Sequence, residues 1–205
     1  MFQIDVQKRL ELFIAGKDQP VQVSDKQFHL TEKEQGKADL TVSLLAPCIL
    51  FCDLEHKKLQ YFKNKHCADY VIFEFTTSGW HIHIFELKRS VGIGEWKTIK
   101  EQFAGALQNA LALAGVLGIR PDISKLALYT VYRNDKLNDA ANPGKLRYQM
   151  HMNGSQVKTP DCQDWNEERI VLDFTEDISA EHHKIKLDIE SGTGECELAT
   201  VLEAG

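Results

Sequence analysis

A chain of 205 residues has room for one domain, or one domain with an appendage, and its 43% hydrophobic and 26% charged residues exclude disordered, collagen-like and disulfide-dense classes. Its net charge of −6 weighs at first against a nucleic-acid partner, because phosphate binding is driven largely by Lys and Arg. The average hides a division: residues 1–160 hold 21 Lys and Arg against 17 Asp and Glu, whereas 161–205 hold 3 against 13. The expected organisation is therefore a mildly basic α/β domain over 1–160 and an acidic segment over 161–205 packed on it.

The opening residues, MFQIDVQKRLELF, mix charge with apolar positions and lack the form of a secretory signal; with five cysteines, an odd number, they predict reduced thiols and a cytoplasmic location. Val6 to Ala15 spaces its apolar residues on one helical face, with Gly16 as a stop. Residues 17–39 are polar with scattered apolar positions. Leu40 to Phe51 is apolar and β-branched, broken by Pro47, and predicts at least one strand. Cys52 to Lys65 gathers four lysines around Leu54, Leu59, Tyr61 and Phe62 and suits either a short amphipathic helix or a hairpin.

Ala68 to Thr76 and Trp80 to Lys88 are β-branched and aromatic runs separated by Thr77-Ser78-Gly79, the clearest hairpin in the sequence. From Glu95 to Leu117, apolar residues recur every three and four positions and Gly118 follows, which predicts a long buried helix. The longest apolar stretch, Phe103 to Ile119, carries Gln108 and Asn109 at its middle and is too short and too polar to span a bilayer. Lys125 to Tyr132 reads as a further strand. Residues 134–165 read as loop, apart from a short strand within Leu146 to Met152, and Ile170 to Phe174 and Ile185 to Ile189 read as late strands.

Within the order strand, turn, strand, helix, strand, three polar residues stand where a purely structural strand would not place them: Asp69, Glu86 and Lys88. Alternation puts Glu86 and Lys88 on the face of Ile82 and Ile84. A turn centred on Ser78 and Gly79 pairs residues whose numbers sum to about 157 and sets Asp69 opposite Lys88. A turn one residue earlier gives about 155 and sets Asp69 opposite Glu86. In either register two carboxylates and an ammonium gather at one end of the hairpin. Such a pair of carboxylates can hold Mg²⁺, and the lysine can serve the attacking water, which is the chemistry of phosphodiester hydrolysis.

These residues resemble the PD-(D/E)xK nuclease-like superfamily: Ala68-Asp69 on one strand, Glu86-Leu87-Lys88 on the next, and Gln102 to Ala106 in the following helix as a QxxxA pattern. The resemblance covers about residues 50–132. It implies a restriction-endonuclease-like αβββαβ core, a mixed sheet flanked by helices, with extra N- and C-terminal elements. It further implies a Mg²⁺-dependent nuclease, with Mn²⁺ as substitute, in DNA processing or genome defence. Asp69, Glu86 and the Leu87 carbonyl would ligate the metal, and Lys88 and Gln102 would complete the catalytic set. Nucleic acid, DNA above all, is the implied partner, with a homodimer or a protein partner as options. The alternative is a catalytically inactive binding protein on the same fold.

Two departures mark the match. Alanine stands in place of the literal proline before Asp69, and the further acid of the first helix is not identifiable among Glu11, Asp53 and Glu55. Glu55-His56-Lys57 and Glu95-Trp96-Lys97 also spell ExK, but only Glu86 ends an apolar strand whose hairpin partner carries an acid. The plain structural reading of Asp69, Glu86 and Lys88 is an exposed ion pair at a sheet edge.

The basic residues Lys57, Lys58, Lys63 and Lys65 precede the proposed strand where a phosphate backbone would approach. His81 and His83 lie on the strand face opposite Glu86; without a third ligand they read as a partly exposed strand face. Cys48, Cys52, His66 and Cys67 offer zinc ligands without a strong spacing.

Overall fold

The computed structural model describes residues 4–13, 20–32, 38–52, 54–57, 59, 62–138, 148–150, 156–158, 164–174 and 176–198. Helix α1 (Ile4–Leu10) is followed by strands β1 (Val21–Ser24), β2 (Gln27–Glu32), β3 (Ala38–Ser43) and β4 (Cys48–Cys52), and then by the short helix α2 (Leu54–Lys57). Next come β5 (Tyr70–Thr76), β6 (Gly79–Val91), α3 (Ile93–Leu117) and β7 (Ala127–Asp135). The last strands are β8 (Tyr148–Met150), β9 (Gln156–Lys158), β10 (Arg169–Asp173), β11 (Asp177–Lys186) and β12 (Thr193–Glu197).

This is an α/β architecture with a mixed seven-stranded sheet in the order β1-β4-β5-β6-β7-β11-β10. Strands β4, β5 and β6 form an antiparallel meander. The chain then crosses through α3 and returns as β7, parallel to β6. A parallel neighbour cannot be reached by a tight turn, so a long connection is obligatory, and here it is the helix.

The two faces of the sheet are covered differently. On one, Val71, Phe73, Ile82, Ile84 and Leu128 pack against Trp96, Ile99, Phe103 and Leu107 of α3. On the other, Leu50, Ile72, Phe85, Tyr129 and Val131 pack against Phe28, Leu30, Leu40 and Val42. Those last four residues belong to a second sheet, of order β12-β3-β2. The expectation of helices flanking the sheet thus holds for one face, and a small sheet closes the other.

Helix α3 has clear chemical boundaries. At its start the Glu95 carboxylate accepts from the Gly92 N–H at 3.1 Å, satisfying a donor that the helix itself cannot. At its end Gly118 adopts φ 69°, and the Ile119 N–H reaches the Ala114 carbonyl at 3.0 Å, the left-handed stop that glycine favours. The predicted helix and its glycine stop are both present, with the start two residues earlier, at Ile93.

Several expectations need correction. The first helix ends at Leu10, before Ala15, and residues 14–19 lie outside the described set. The stretch 17–39 holds β1, β2 and the start of β3. Leu40 to Phe51 spans two strands that part around Pro47 and enter different sheets, and 134–165 contains β9 as well as β8. The late strand read at Ile185–Ile189 is the end of β11, and Ile189 stands in a turn.

The acidic region contributes β10 and β11 to the large sheet and β12 to the small one. Strand β11 lies between β7 and β10, so the charge of 161–205 cannot be removed by truncation without removing an interior strand. Among the described residues no helix is long and apolar enough to cross a membrane.

Candidate active site

The hairpin register decides between the two sequence alternatives. Tyr70 pairs with Phe85, Phe73 with Ile82 and Thr76 with Gly79, each summing to 155, so Thr77 and Ser78 form the turn. Continued by one residue, this register sets Asp69 opposite Glu86, and the arrangement opposite Lys88 is excluded. Strand β5 starts at Tyr70, so Asp69 stands in the bend just before it and not on the strand expected from Ala68; the Leu87 N–H donates to Asp69 Oδ2 at 2.8 Å, tying that acid to the backbone between Glu86 and Lys88.

Glu86 is fully buried, and its carboxylate Oε1 is in contact with the Lys88 ammonium, whose side chain is 14% exposed. Strand β6 is the fourth of seven, so the reading as an exposed pair at a sheet edge is overturned. Taking a carboxylate out of water is costly even when it is paired. A buried acid within a central strand, beside an ammonium that reaches solvent, is a candidate site rather than a surface feature.

Three restraints hold Asp69 in place. Immediately before it, the Ala68 N–H donates to the main-chain carbonyl of Gln102 at 3.1 Å. Immediately after it, the Tyr70 hydroxyl donates to the Thr31 carbonyl at 2.7 Å and accepts from the Thr31 N–H at 3.0 Å. Burial, as the largest influence, pushes the Tyr70 hydroxyl up to about 12, so it remains a donor throughout the working pH range. The third restraint is the Leu87 N–H bond.

Gln102 is buried on α3 and donates from Nε2 to the Cys67 carbonyl at 3.4 Å. Its contact is with the segment that runs through Asp69 into β5, which makes it a positioning residue. Sequence reasoning missed the rest of this helix stripe. Asn109 donates to the Gly105 carbonyl at 2.8 Å and accepts from the Leu59 N–H at 2.8 Å. Asn64 reaches the Glu101 carbonyl at 3.0 Å. A Cβ on Gly105 would lie 2.9 Å from the carbonyl carbon of His66, so only glycine admits the segment at this point. Helix positions 102, 105 and 109 thus form the bed on which the chain runs into Asp69.

Among the expected basic residues, Lys63 and Lys65 are exposed on this docked segment, whereas the Lys57 side chain and Lys58 lie outside the described residues. Asp53 and the Glu55 side chain also lie outside them; Glu11 is exposed in the turn after α1. A second basic area was not anticipated. A cleft of about 460 Å³ at the carboxyl end of β7 is lined by Arg133, Lys136 and Lys186 together with Tyr132, the strand partner of Lys88. It lies at the carboxyl ends of parallel strands, where α/β sheets commonly receive ligands.

The zinc reading of the cysteines is not supported. Cys48 packs under the small sheet and Cys67 under α3, on opposite faces of the large sheet, while His66 is exposed and pairs with Glu101 at 3.4 Å. His81 and His83 are buried, not partly exposed, and face Glu74 of the partner strand. The available signal was Glu74 itself, an acid in the middle of the apolar run YVIFEFT.

One further histidine belongs to the packing behind the site. His182 is 5% exposed among Trp96, Trp165 and Phe103, with Nε2 3.0 Å from Oγ1 of Thr130, the strand partner of Glu86. Burial, aided by the charges of Lys184 and His183, lowers its pKa to about 3. The folded state therefore binds fewer protons than the unfolded one below the ordinary value of about 6.5, and stability is lost as pH falls from there. Between pH 7 and pH 5 the wild type should lose about 2 kcal/mol more stability than His182→Gln. Denaturant titrations of both proteins at the two pH values measure this, and parallel losses would refute it.

Compared with known proteins, the chain matches no family model, no curated protein and no solved structure.

Proposed function

We propose that the chain is a Mg²⁺-dependent phosphodiesterase acting on nucleic acid and built on the restriction-endonuclease-like core. The observation that carries the reading is the buried Glu86 carboxylate on a central strand, in contact with Lys88 and next to Leu87, whose N–H holds Asp69. Further support comes from the element order α1, β4, β5, β6, α3, β7, which parallels the αβββαβ plan, with β1 to β3, α2 and β8 to β12 as additions.

The donor set suits the ion. Asp69, Glu86 and the Leu87 carbonyl offer hard oxygens, which Mg²⁺ prefers, and no thiolate or imidazole belongs to the group. When bound there, Mg²⁺ would acidify a water and neutralise charge on the scissile phosphate. Asp69 and Glu86 would hold the ion, with Asp69 kept in register by the Leu87 N–H. Lys88, between buried Glu86 and solvent, would orient the attacking water and offset the charge that develops on the phosphate. Gln102 would keep the Cys67 to Asp69 segment against α3. Arg133, Lys136 and Lys186 would neutralise neighbouring phosphates along the cleft, with Lys63 and Lys65 as the second basic contact.

The test is incubation of the purified full chain with duplex DNA, single-stranded DNA and RNA in Mg²⁺, in Mn²⁺ and in EDTA. Cleavage is expected with either ion, none in EDTA, and a loss of about a hundredfold in Lys88→Ala. No cleavage of any substrate in either ion would sink the proposal. Tight nucleic-acid or protein binding in that event would point to the inactive binding protein.

A further inference from the structure

We propose that Glu74, His81 and His83 form a second metal site that holds one structural Zn²⁺ inside the β5–β6 hairpin. Glu74 pairs directly with His81 across the two strands, and His83 lies two residues further along the same face. The cluster is on the sheet face opposite Glu86. It lies five residues from Asp69 along β5, about 16 Å at the rise of an extended strand. The two sites are separate in position and in ligand chemistry.

All three residues are 0–2% exposed, and their ligand atoms lie within 4.8 Å of one another. His83 Nε2 is 3.1 Å and His81 Nδ1 3.8 Å from Glu74 Oε2. Around a tetrahedral ion with bonds of about 2.0–2.1 Å, neighbouring ligand atoms stand about 3.3 Å apart, and these two separations bracket that value. Two imidazoles and one carboxylate form a donor set known for zinc, with a water completing the four-coordinate shell.

The groups around the cluster carry the argument further. A metal-bound histidine needs one ring nitrogen for the ion and a hydrogen-bond partner for the other. Both residues meet this requirement. His83 Nδ1 is 3.1 Å from the Tyr129 hydroxyl, which leaves Nε2 directed at Glu74. His81 Nε2 is 3.0 Å from Ser78 Oγ and 3.3 Å from Thr76 Oγ1, which leaves Nδ1 directed at the same carboxylate. Ser78 is in turn held by the Lys125 ammonium at 3.0 Å.

Among the described residues, His81 Nδ1 and Glu74 Oε1 have no hydrogen-bond partner although both are buried. Such orphaned atoms are rare in native interiors and call for an explanation. An ion shared by His81 Nδ1, His83 Nε2 and the Glu74 carboxylate supplies one. Cys48 faces Glu74 from β4, but its thiol donates to the Ala46 carbonyl at 3.3 Å, so the protein ligands are nitrogen and oxygen alone.

An ion so enclosed exchanges slowly, which makes retention the measurement. The full chain, produced with zinc in the medium and dialysed against metal-free buffer, should retain close to one Zn²⁺ per molecule by elemental analysis. His83→Gln and Glu74→Gln should retain at most a tenth of that, and Glu86→Gln should retain all of it. Zinc far below one equivalent in the wild type, or undiminished in both ligand variants, overturns the proposal. If neither variant folds by circular dichroism, the wild type decides alone. Refolded with Co²⁺, it should show the intense visible absorption of a tetrahedral ion without a thiolate charge-transfer band, and a weak octahedral spectrum refutes the site.

Discussion

Replacement of Glu86 by glutamine is expected to lower metal-dependent phosphodiester cleavage by about a thousandfold or more while leaving the protein folded. The two halves of this expectation have different physical origins. Glutamine keeps the shape and volume of a side chain that is fully buried in the middle of the large sheet, so packing is preserved. The Lys88 ammonium beside it is 14% exposed and can be hydrated once the carboxylate charge is gone. What disappears is the negative charge beside Asp69, and with it the hold on a divalent ion that the proposed mechanism requires. Calorimetric titration with Mg²⁺ should therefore show binding abolished in Glu86→Gln and retained in Lys88→Ala. If Glu86 served only as half of a buried ion pair, the outcome would be reversed: stability would fall by about 3–5 kcal/mol and cleavage by the folded fraction would persist. Thermal unfolding and single-turnover cleavage on the same preparations separate the two.

The parts of this fold that were legible in the sequence are those whose signal is local. Helix α3 announces itself because Trp96, Ile99, Phe103 and Leu107 recur at helical spacing and end at Gly118, and all four are buried. The β5–β6 hairpin and the acids within it were legible for the same reason, since an acid in an otherwise apolar strand breaks the pattern. The register remained open because one residue of turn length shifts every pairing, and only the Thr76–Gly79 closure fixes it. Strands β1, β2 and β12 escaped notice because they bury one face at most, so that VQVS, QFHLTE and TGECE look polar. Of the bed formed by Gln102, Gly105 and Asn109, Gln102 was singled out through the QxxxA resemblance, but the bed itself was illegible in a stronger sense. Its meaning lies in a segment some 40 positions away in sequence, and helical periodicity alone gives Gly105 and Asn109 an unremarkable place. The Glu74 cluster lies between these cases: His81 and His83 were read as lacking a third ligand, although a register sum of either 155 or 157 sets Glu74 opposite one of them.

The same bed yields the second large expected effect, in Gly105→Val. Any Cβ at this position meets the His66 main chain, with its carbonyl carbon at 2.9 Å and Asn64 Nδ2 at 3.1 Å, and neither a backbone carbonyl nor a helix can yield cheaply. The docked segment must lift, which breaks the Ala68 to Gln102 and Asn64 to Glu101 hydrogen bonds together. A loss of about 2–3 kcal/mol is expected from overpacking of this kind. Because Asp69 follows Ala68 directly, the displacement reaches the site, and a shift of about 1 Å there is enough to cost about a hundredfold in rate. Gly115, on the same helix, provides the control, since a Cβ added there would meet nothing within 4 Å. Gly115→Ala should leave cleavage unchanged and raise stability by up to about 1 kcal/mol, the ordinary gain from replacing a helical glycine. Denaturant unfolding and cleavage rates measured on both variants test the coupling. A Gly105→Val protein that is destabilised yet cleaves at the wild-type rate per folded molecule would show that the helix supports the sheet without positioning Asp69.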